Sequence, residues 1–209
     1  MKWVFFDFNG TILDDVELCL ALLNEILIAQ GNKPVSKEEY KDIFCFPVRK
    51  YYELAGVDLN KNSFEELSKW FIKKYQPLSY ECKLFPNLVE TIKRLKEKKI
   101  KVAVLSASQI DNLKDQLSRF KIIDLFDAVL GLTDIHAASK IQVGKDFIKA
   151  NKINPLDVLF VGDTNHDKEV SDAIGAKALL FSKGHQSLKV LEKENTPIID
   201  DLSEILNYV

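Results

Sequence analysis

The sequence predicts a protein of the α/β class, with a doubly wound parallel sheet that is interrupted by an inserted helical domain. Short, almost continuously apolar runs alternate with helical patterns through residues 83–209. Such runs are typical of parallel strands that are covered on both faces. Between the first and the second run, residues 14–81 show helical patterns and no convincing strand. A connection of that length is too long for a crossover in a compact sheet, which indicates a separate domain.

Each strand of the predicted sheet is a short run rich in Val, Ile, Leu and Phe. The runs are Lys2–Phe6, Lys101–Leu105, Ala128–Leu130, Val158–Val161, Ala178–Phe181 and a shorter sixth, Pro197–Ile199. Apolar residues at helical spacing lie between them, around Leu88–Leu95, Leu113–Phe120, Phe147–Ile148 and Val170–Ile174.

The insertion begins with a helix whose apolar face runs from Val16 to Leu27 and which Gly31 closes. Further helical patterns cover Lys37–Phe44, Val48–Ala55 and Phe64–Lys74. We therefore predict a core of residues 1–13 and 82–209 and a helical cap of residues 14–81.

The composition excludes several other classes of protein. The 209 residues are 46% hydrophobic and 29% charged, with a net charge of -2, which is a globular balance without a basic surface for nucleic acid or membranes. The three cysteines form no Cys-x-x-Cys pair, and no apolar run approaches the length of a membrane helix. We expect a cytoplasmic protein without a secretory signal, and a monomer or small homo-oligomer.

The first two candidate motifs follow the first two predicted strands. Asp7-Phe8-Asn9-Gly10-Thr11 ends the first strand, where open α/β sheets bind ligands, and Gly10 allows close backbone approach. Ser106 follows the second strand, where its hydroxyl and the next amides, including that of Ala107, would hold a phosphate oxygen at a helix start. Turn and capping roles explain the same residue types, so neither motif decides alone.

The other two motifs follow the next two strands. Lys140 is predicted at a helix start, where its charge opposes the helix dipole and indicates a nearby anion, or else a solvated surface lysine. Gly162-Asp163-Thr164-Asn165-His166-Asp167 carries two acids four residues apart, which suits a hard cation or a capped helical turn. Because parallel strands end at one edge of the sheet, we expect all four motifs to converge.

In this order the motifs resemble those of the haloacid dehalogenase superfamily of phosphatases, and the resemblance covers essentially the whole chain. The insertion lies where that family places its first type of cap. Asp14, the segment 162–167 and Gly184-His185-Gln186-Ser187 are similar to the phosphoglycolate-phosphatase-like branch. The resemblance implies a Rossmann-like core and a Mg²⁺-dependent phosphatase that hydrolyses small phosphorylated metabolites through an aspartyl-phosphate intermediate.

The resemblance also implies a role for each matching residue. Asp7 would attack phosphorus, and Mg²⁺ would be held by Asp7, the backbone carbonyl of Asn9 and Asp163, while Asp167 orients water bound to the metal. The transferring phosphoryl group would be bound by Ser106 and Lys140, with Gly10, Thr11 and Ala107 beside it. These roles agree with the physics of phosphoryl transfer, because the spreading negative charge has to be neutralised and the attack aligned.

One position departs from the family pattern. The family has a second Asp two residues after the nucleophile, as general acid for the leaving alcohol, and this chain has Asn9. An amide cannot transfer that proton, which costs about 10²–10⁴ in rate if nothing replaces it. Three readings follow: a slow enzyme or one for good leaving groups such as acyl or aryl phosphates; a proton from His136, His166 or a cap residue; or a protein that binds a phosphorylated ligand without turning it over.

We prefer a weak or specialised phosphatase, since Asp7, Lys140 and both acids of the fourth motif remain. The alternatives are a regulatory phospho-ligand-binding protein and, ranked lower, phosphoglucomutase-like or dehalogenase activity. Substrate choice is expected to lie in the cap, where Arg49 is a candidate for a second anion of the substrate or an exposed arginine paired with an acid. Trp70, Phe71 and Tyr75 are expected to pack the cap rather than stack on a ligand.

Overall fold

The fold is a parallel sheet with helices on both faces and a group of helices inserted after the first strand. It is seen in a computed structural model that describes residues 1–133 and 139–209. In chain order the strands are β1 (Trp3–Phe6), β2 (Leu13–Asp14), β3 (Lys83–Leu84), β4 (Lys101–Gln109), β5 (Ala128–Leu132), β6 (Val158–Gly162), β7 (Lys177–Phe181) and β8 (Ile198–Ile199).

Helices fill most of the connections. They are α1 (Val16–Ala29), α2 (Lys37–Ile43), α3 (Val48–Leu54), α4 (Phe64–Ser79), α5 (Leu88–Glu97), α6 (Ile110–Arg119), α7 (Lys140–Ala150), α8 (Asn165–Ile174) and α9 (Leu188–Leu191). Short 3₁₀ turns cover Ile123–Leu125, Pro155–Asp157, Glu192–Glu194 and Leu202–Asn207. None of the described helices is long and apolar enough to cross a membrane.

The main sheet has the strand order β5-β4-β1-β6-β7-β8 and is parallel throughout. Phe6 at the end of β1 pairs with Val104 of β4 on one side and with Val161 of β6 on the other. The polar residues that follow these strands are therefore brought to the same edge. This sheet confirms the predicted α/β class with its Rossmann-like parallel core.

Both faces of β1 are buried, which explains its continuous apolar run. Val4 and Phe6 belong to a core cluster with residues of α5 and α6. Trp3 and Phe5 belong to a second cluster, with residues of α7 and α8, on the opposite face. Alternate side chains of a strand point to opposite faces, so a strand covered on both sides needs apolar residues at every position.

The inserted helices α1–α4 have an apolar cluster of their own, which includes Leu23, Leu27, Tyr40 and Tyr52. Ser36 with Glu39, and Ser63 with Glu66, form capping boxes that begin α2 and α4, because each pair satisfies backbone N–H groups at a helix start. The separate cluster supports the cap of residues 14–81, whose boundaries stay a prediction.

One pair of short strands is not predicted from the sequence, and one predicted helix start is wrong. A strand pair flanks the insertion, where β2 lies antiparallel to β3 and Leu13 pairs with Leu84. Two-residue strands carry too few residues for a recognisable alternation. In addition, β4 continues to Gln109 with an irregular register after Leu105, where a helix had been expected to begin.

The apolar cluster of the inserted helices is expected to contribute to the stability of the protein. Leu27 is fully buried, whereas its neighbour Ile28 in the same helix is 61% exposed. We expect Leu27→Ala to lower the free energy of unfolding by about 2–5 kcal/mol, because it leaves a cavity. Ile28→Ala should change it by about 0.5 kcal/mol or less.

Urea denaturation followed by far-UV circular dichroism measures both variants. Equal losses for the two would show that α1 does not pack as described.

Candidate active site

Four side chains from separate parts of the chain meet at the carboxyl edge of the sheet. Asp7 follows β1, Ser106 lies in β4, Asp163 follows β6, and Lys140 is the first residue of α7. All four are buried, with Lys140 only 5% exposed. The expected convergence of the motifs is therefore what the structure shows, although the role of each residue stays a prediction.

Lys140 lies between two carboxylates. Its Nζ donates to Asp7 Oδ1 at 2.5 Å and to Asp167 Oδ1 at 2.6 Å. Burial alone would lower the pKa of Lys140, but the two carboxylates outweigh it and raise that pKa above its ordinary value. Lys140 is thus a permanent positive charge beside the candidate nucleophile.

The pKa values of the three acids in the site shift in different directions. Burial raises the pKa of Asp7 and of Asp163, and for both acids the nearby charge of Asp167 adds to the effect. Asp167 is also buried, but the charge and hydrogen bond of Lys140 and a hydrogen bond from Thr164 lower its pKa. The site therefore holds more negative charge than Lys140 alone offsets.

This excess of negative charge bears on whether a metal ion fits the site. Asp7, Asp163 and Asp167 each offer a carboxylate oxygen, and these atoms lie within 4.8 Å of one another. Hard cations such as Mg²⁺ prefer such oxygen ligands. The donor set and its unbalanced charge fit a divalent cation.

Asp163 and Asp167 differ in how free their oxygens are. Asp167 Oδ2 accepts from the backbone N–H groups of Asp163 and Thr164 and from the Thr164 hydroxyl, and Oδ1 accepts from Lys140. Asp163 Oδ1 accepts from the Thr11 hydroxyl at 3.0 Å and Oδ2 from the His185 N–H at 2.6 Å. Asp167 is the more fully hydrogen-bonded of the two, which suits orienting water better than binding the cation directly.

Glycines allow the chain to approach these acids. A Cβ on Gly10, whose φ is +71°, would lie 2.3 Å from Asp163 Oδ2, and a Cβ on Gly184 would lie equally close to the same carboxylate. A Cβ on Gly162 would lie 2.3 Å from Asp167 Cγ. Any other residue at these three positions would displace a carboxylate of the site.

Ser106 differs from the expectation in its local structure. It lies inside β4 rather than at a helix start, since α6 begins at Ile110 and is capped by the Gln109 side chain. Its hydroxyl accepts from the Ser108 N–H at 3.1 Å, and Ala107 lines the cavity above Asp7. The irregular end of β4, instead of a helix N-terminus, presents this segment to the site.

The side chain of Asn9 is held by hydrogen bonds that suit an amide. Its Nδ2 donates to Asp15 Oδ2 at 2.8 Å and to the Tyr75 hydroxyl at 2.5 Å. Its Oδ1 accepts from the Ser108 hydroxyl at 3.3 Å. A carboxylate at position 9 would face the Asp15 carboxylate, so an amide is the electrostatically matched group here.

Asp15 anchors a buried network that the sequence analysis missed. Its Oδ1 accepts from the Gly10 N–H and lies 3.2 Å from His185 Nε2, and the Tyr40 hydroxyl is 2.7 Å from His185 Nδ1. Burial disfavours charge on both partners, yet their mutual attraction raises the pKa of His185 to about 9 and lowers that of Asp15. At neutral pH the pair is an imidazolium and a carboxylate.

The sequence contained a weak signal for this network. Asp14 and Asp15 are adjacent acids in the sequence, and the resemblance points to Asp14, which is exposed. Asp15 is fully buried. His185 belongs to a segment that resembles the phosphoglycolate-phosphatase-like branch, but nothing in the sequence shows which buried acid it meets.

A cavity of about 380 Å³ lies between this site and the inserted helices. Asp7, Lys140 and Asp163 line one side of it. Aromatic residues of the insertion line the other side, namely Tyr40, Phe44, Phe46, Tyr51, Tyr52, Phe64, Phe71 and Tyr75. Phe71 and Tyr75 therefore face the cavity as well as packing on each other, and the expectation that they do not stack on a ligand stays a prediction.

Of the remaining candidates that the structure describes, His166 lines the cavity and Arg49 does not. Arg49 is exposed, its guanidinium lies 5.3 Å from the centre of the Phe64 ring, and it is not among the residues that line the cavity. His166 does line the cavity, with Nδ1 3.0 Å from Glu169. His136 lies outside the described residues, so its suggested role stays a prediction.

Comparison with known proteins agrees with this geometry. The sequence model of the haloacid dehalogenase-like hydrolases matches residues 4–181. A phosphoglycolate phosphatase of Synechococcus elongatus is 24% identical over 192 residues, covering 88% of this chain and 85% of its own. A phosphoglycolate phosphatase of Haemophilus influenzae is 25% identical over 220 residues, covering 100% and 98%.

Solved structures show the same fold. A haloacid dehalogenase-like family hydrolase from Streptococcus pneumoniae superimposes with a TM-score of 0.83 at 18% identity, covering 100% of this chain and 98% of its own. We conclude that the chain belongs to the haloacid dehalogenase-like hydrolase family, is similar to its phosphoglycolate phosphatases, and is an enzyme of the phosphatase class.

Proposed function

We propose that this protein is a Mg²⁺-dependent phosphatase that hydrolyses small phosphorylated metabolites through an aspartyl-phosphate on Asp7. The observation that carries the proposal is the buried Asp7 carboxylate, bonded to Lys140 and grouped with Asp163 and Asp167 at a cavity. Such a site combines a nucleophile, a fixed cation and a set of hard oxygen ligands.

In the first step a carboxylate oxygen of Asp7 attacks phosphorus. A P–O bond to Asp7 forms while the bond to the leaving oxygen breaks, and the leaving group departs with that electron pair. Lys140 offsets the charge that spreads over the phosphoryl oxygens, and the Ser106 hydroxyl donates to one of them.

In the second step a water oxygen attacks the same phosphorus. The bond to Asp7 breaks, which regenerates the carboxylate and releases inorganic phosphate, and the proton lost by water passes to solvent. Asp167, held by Lys140 and Thr164, would orient water bound to the metal ion.

The residues that would hold Mg²⁺ are Asp7, the backbone carbonyl of Asn9 and Asp163. When bound, the ion supplies positive charge that shields the carboxylate nucleophile from the negative phosphate. Thr11 and the His185 N–H keep Asp163 in place for this role.

The inserted helices would act as the cap that gives access to the site and selects the substrate. The relatives named phosphoglycolate phosphatase make phosphoglycolate a candidate substrate, at identities of 24% and 25%. The second candidate function is binding of a phosphorylated ligand without turnover, which is favoured by the amide at position 9. A monomer or small oligomer in the cytoplasm remains our expectation.

Phosphate release from p-nitrophenyl phosphate tests the proposal directly. We expect Mg²⁺-dependent turnover by the wild type and a loss of at least about 10³-fold in Asp7→Asn, since that variant lacks the nucleophile. Asp146→Asn is the matched control, because Asp146 is exposed on α7, and it should behave like the wild type.

Turnover that survives Asp7→Asn, or that is unaffected by removing Mg²⁺ with EDTA, would contradict the mechanism. Binding of phosphate without any turnover would favour the second candidate function.

Lys140 makes a prediction about stability in the absence of metal. Lys140→Met should destabilise the protein by about 3–5 kcal/mol, because two buried carboxylates lose the cation that pairs with them. Lys69→Met is the control, since Lys69 pairs with Glu65 on an exposed helix face, where an ion pair contributes little. Thermal melts in EDTA measure both, and a similar midpoint for the two variants would contradict the charge balance described.

Asn9→Asp tests the missing proton donor. The new carboxyl group would lie against Asp15, and two carboxylates at that distance share a proton, which raises the pKa of one of them. We expect kcat to rise by about 10²-fold or more for a poor leaving group such as an alkyl phosphate, and to change little for p-nitrophenyl phosphate. Equal gains for the two substrates would show that Asn9 does not limit proton transfer to the leaving group.

A further inference from the structure

The cavity beside Asp7 has a wall whose chemistry differs from that of a small, doubly anionic substrate. We propose that the site selects phosphate monoesters whose leaving group is an aromatic hydroxyl compound, that is, aryl phosphates. The inference rests on the proposed phosphatase function and names its substrate class. Two independent features carry it: the apolar character of the wall and the amide at position 9.

The wall is built from ring systems that the inserted helices hold in place. Phe71 and Tyr75 stack with their ring centres 5.5 Å apart and 12° between planes. Phe44 stacks on the ring of His185 at 4.7 Å. Tyr52 and Phe64 lie 5.9 Å apart in an edge-to-face arrangement on the same side. Flat, apolar surfaces of this kind favour a planar aromatic group, because its burial gains hydrophobic and ring-packing energy.

The volume of the cavity agrees with a leaving group of that size. At about 380 Å³, it lies at the lower end of the range for small-molecule pockets. A single substituted ring attached to a phosphate would occupy much of it. A two-carbon leaving group would leave most of the aromatic wall in contact with water.

The charge of the lining points in the same direction. Among the described lining residues, Lys140 is the only lysine or arginine, and it is already bonded to Asp7 and Asp167. His185 has both ring nitrogens engaged, by Asp15 and Tyr40. His166 also lines the cavity, with its Nδ1 3.0 Å from Glu169. A second carboxylate on the substrate would therefore find no lysine or arginine free to pair with it among the described lining residues, and its desolvation is costly.

Position 9 restricts the leaving group further. The Asn9 amide is committed to Asp15 and Tyr75 as a donor and carries no titratable proton. Position 9 therefore gives the leaving oxygen no proton, which favours a leaving group that is stable as an anion. A phenol ionises with a pKa near that of tyrosine, about 10, whereas the pKa of an aliphatic alcohol is far higher and close to that of water. Aryl phosphates satisfy this requirement and the apolar wall together.

A panel of phosphate esters assayed with Mg²⁺ separates the two features. p-Nitrophenyl and phenyl phosphate have a ring and an acidic leaving group, acetyl phosphate has an acidic leaving group without a ring, cyclohexyl phosphate has a ring without acidity, and 2-phosphoglycolate has neither but carries a carboxylate. We expect kcat/KM for the two aryl esters to exceed that for 2-phosphoglycolate by at least about 100-fold. The KM of p-nitrophenyl phosphate should be at least about tenfold below that of acetyl phosphate, because only the former buries a ring.

Each outcome of the panel decides one question. Equal or faster turnover of 2-phosphoglycolate overturns the aryl assignment and leaves the phosphatase function standing, and so does an equal KM for acetyl and p-nitrophenyl phosphate. Cyclohexyl phosphate turned over as fast as phenyl phosphate overturns the role of leaving-group acidity. No Mg²⁺-dependent release from any ester overturns the phosphatase function itself.

A charged residue introduced into the wall of the cavity tests whether its apolar character selects the leaving group. Ile72 on α4 lines the cavity, and Ile28 on α1 is a similarly exposed isoleucine of the insertion that does not line it, with exposures of 55% and 61%. Ile72→Lys should lower kcat/KM for p-nitrophenyl phosphate by about tenfold and raise that for 2-phosphoglycolate. Ile28→Lys should keep the wild-type ratio, because Ile28 does not line the cavity.

Circular dichroism of the variants shows whether each remains folded. A folded Ile72→Lys variant with an unchanged ratio between the two substrates would overturn the assignment of this wall to the leaving group.

Discussion

Asp7, Asp163 and Asp167 are carboxylates that the fold buries within 4.8 Å of one another, and Lys140 is the cation placed between two of them. Burying like charges is costly unless opposite charge accompanies them. The incomplete balance at this site raises the pKa of Asp7 and Asp163, and it is the physical reason that a divalent cation fits here. The excess of negative charge that destabilises the metal-free protein is also what lets a phosphoryl-transfer site hold a divalent cation.

The parallel sheet makes this concentration of charge possible. Strands β1, β4 and β6 are neighbours although they are far apart in the chain, so the residues after them meet at one edge. The apolar clusters on both faces of the sheet supply the stability against which the buried charges are held. Glycines at positions 10, 162 and 184 leave room for the carboxylates where any side chain would collide with them.

Position 9 links the reacting site to the inserted helices. The Asn9 amide bonds to Asp15 and to Tyr75 of α4, and Asp15 in turn pairs with His185. An amide can donate to a carboxylate that another carboxylate would repel. Loss of the usual acid therefore comes with a structural gain, a neutral donor that joins the core to the wall of the cavity. This exchange fits the proposal that the site keeps a nucleophile and a cation without a proton donor at position 9.

The sequence by itself determined the class of fold, the order of the strands along the chain and the residues Asp7, Lys140, Asp163 and Asp167, because apolar runs and the polar residues that end them are local patterns. It also showed that Asn9 lacks a proton to give. Only the tertiary structure decided what surrounds those residues. Contacts between segments distant in sequence bury Asp15 rather than Asp14 and pair it with His185. Such contacts also extend β4 past Ser106 and turn Phe71 and Tyr75 toward the cavity. No local pattern encodes which of two adjacent acids, or which face of a helix, such contacts will bury.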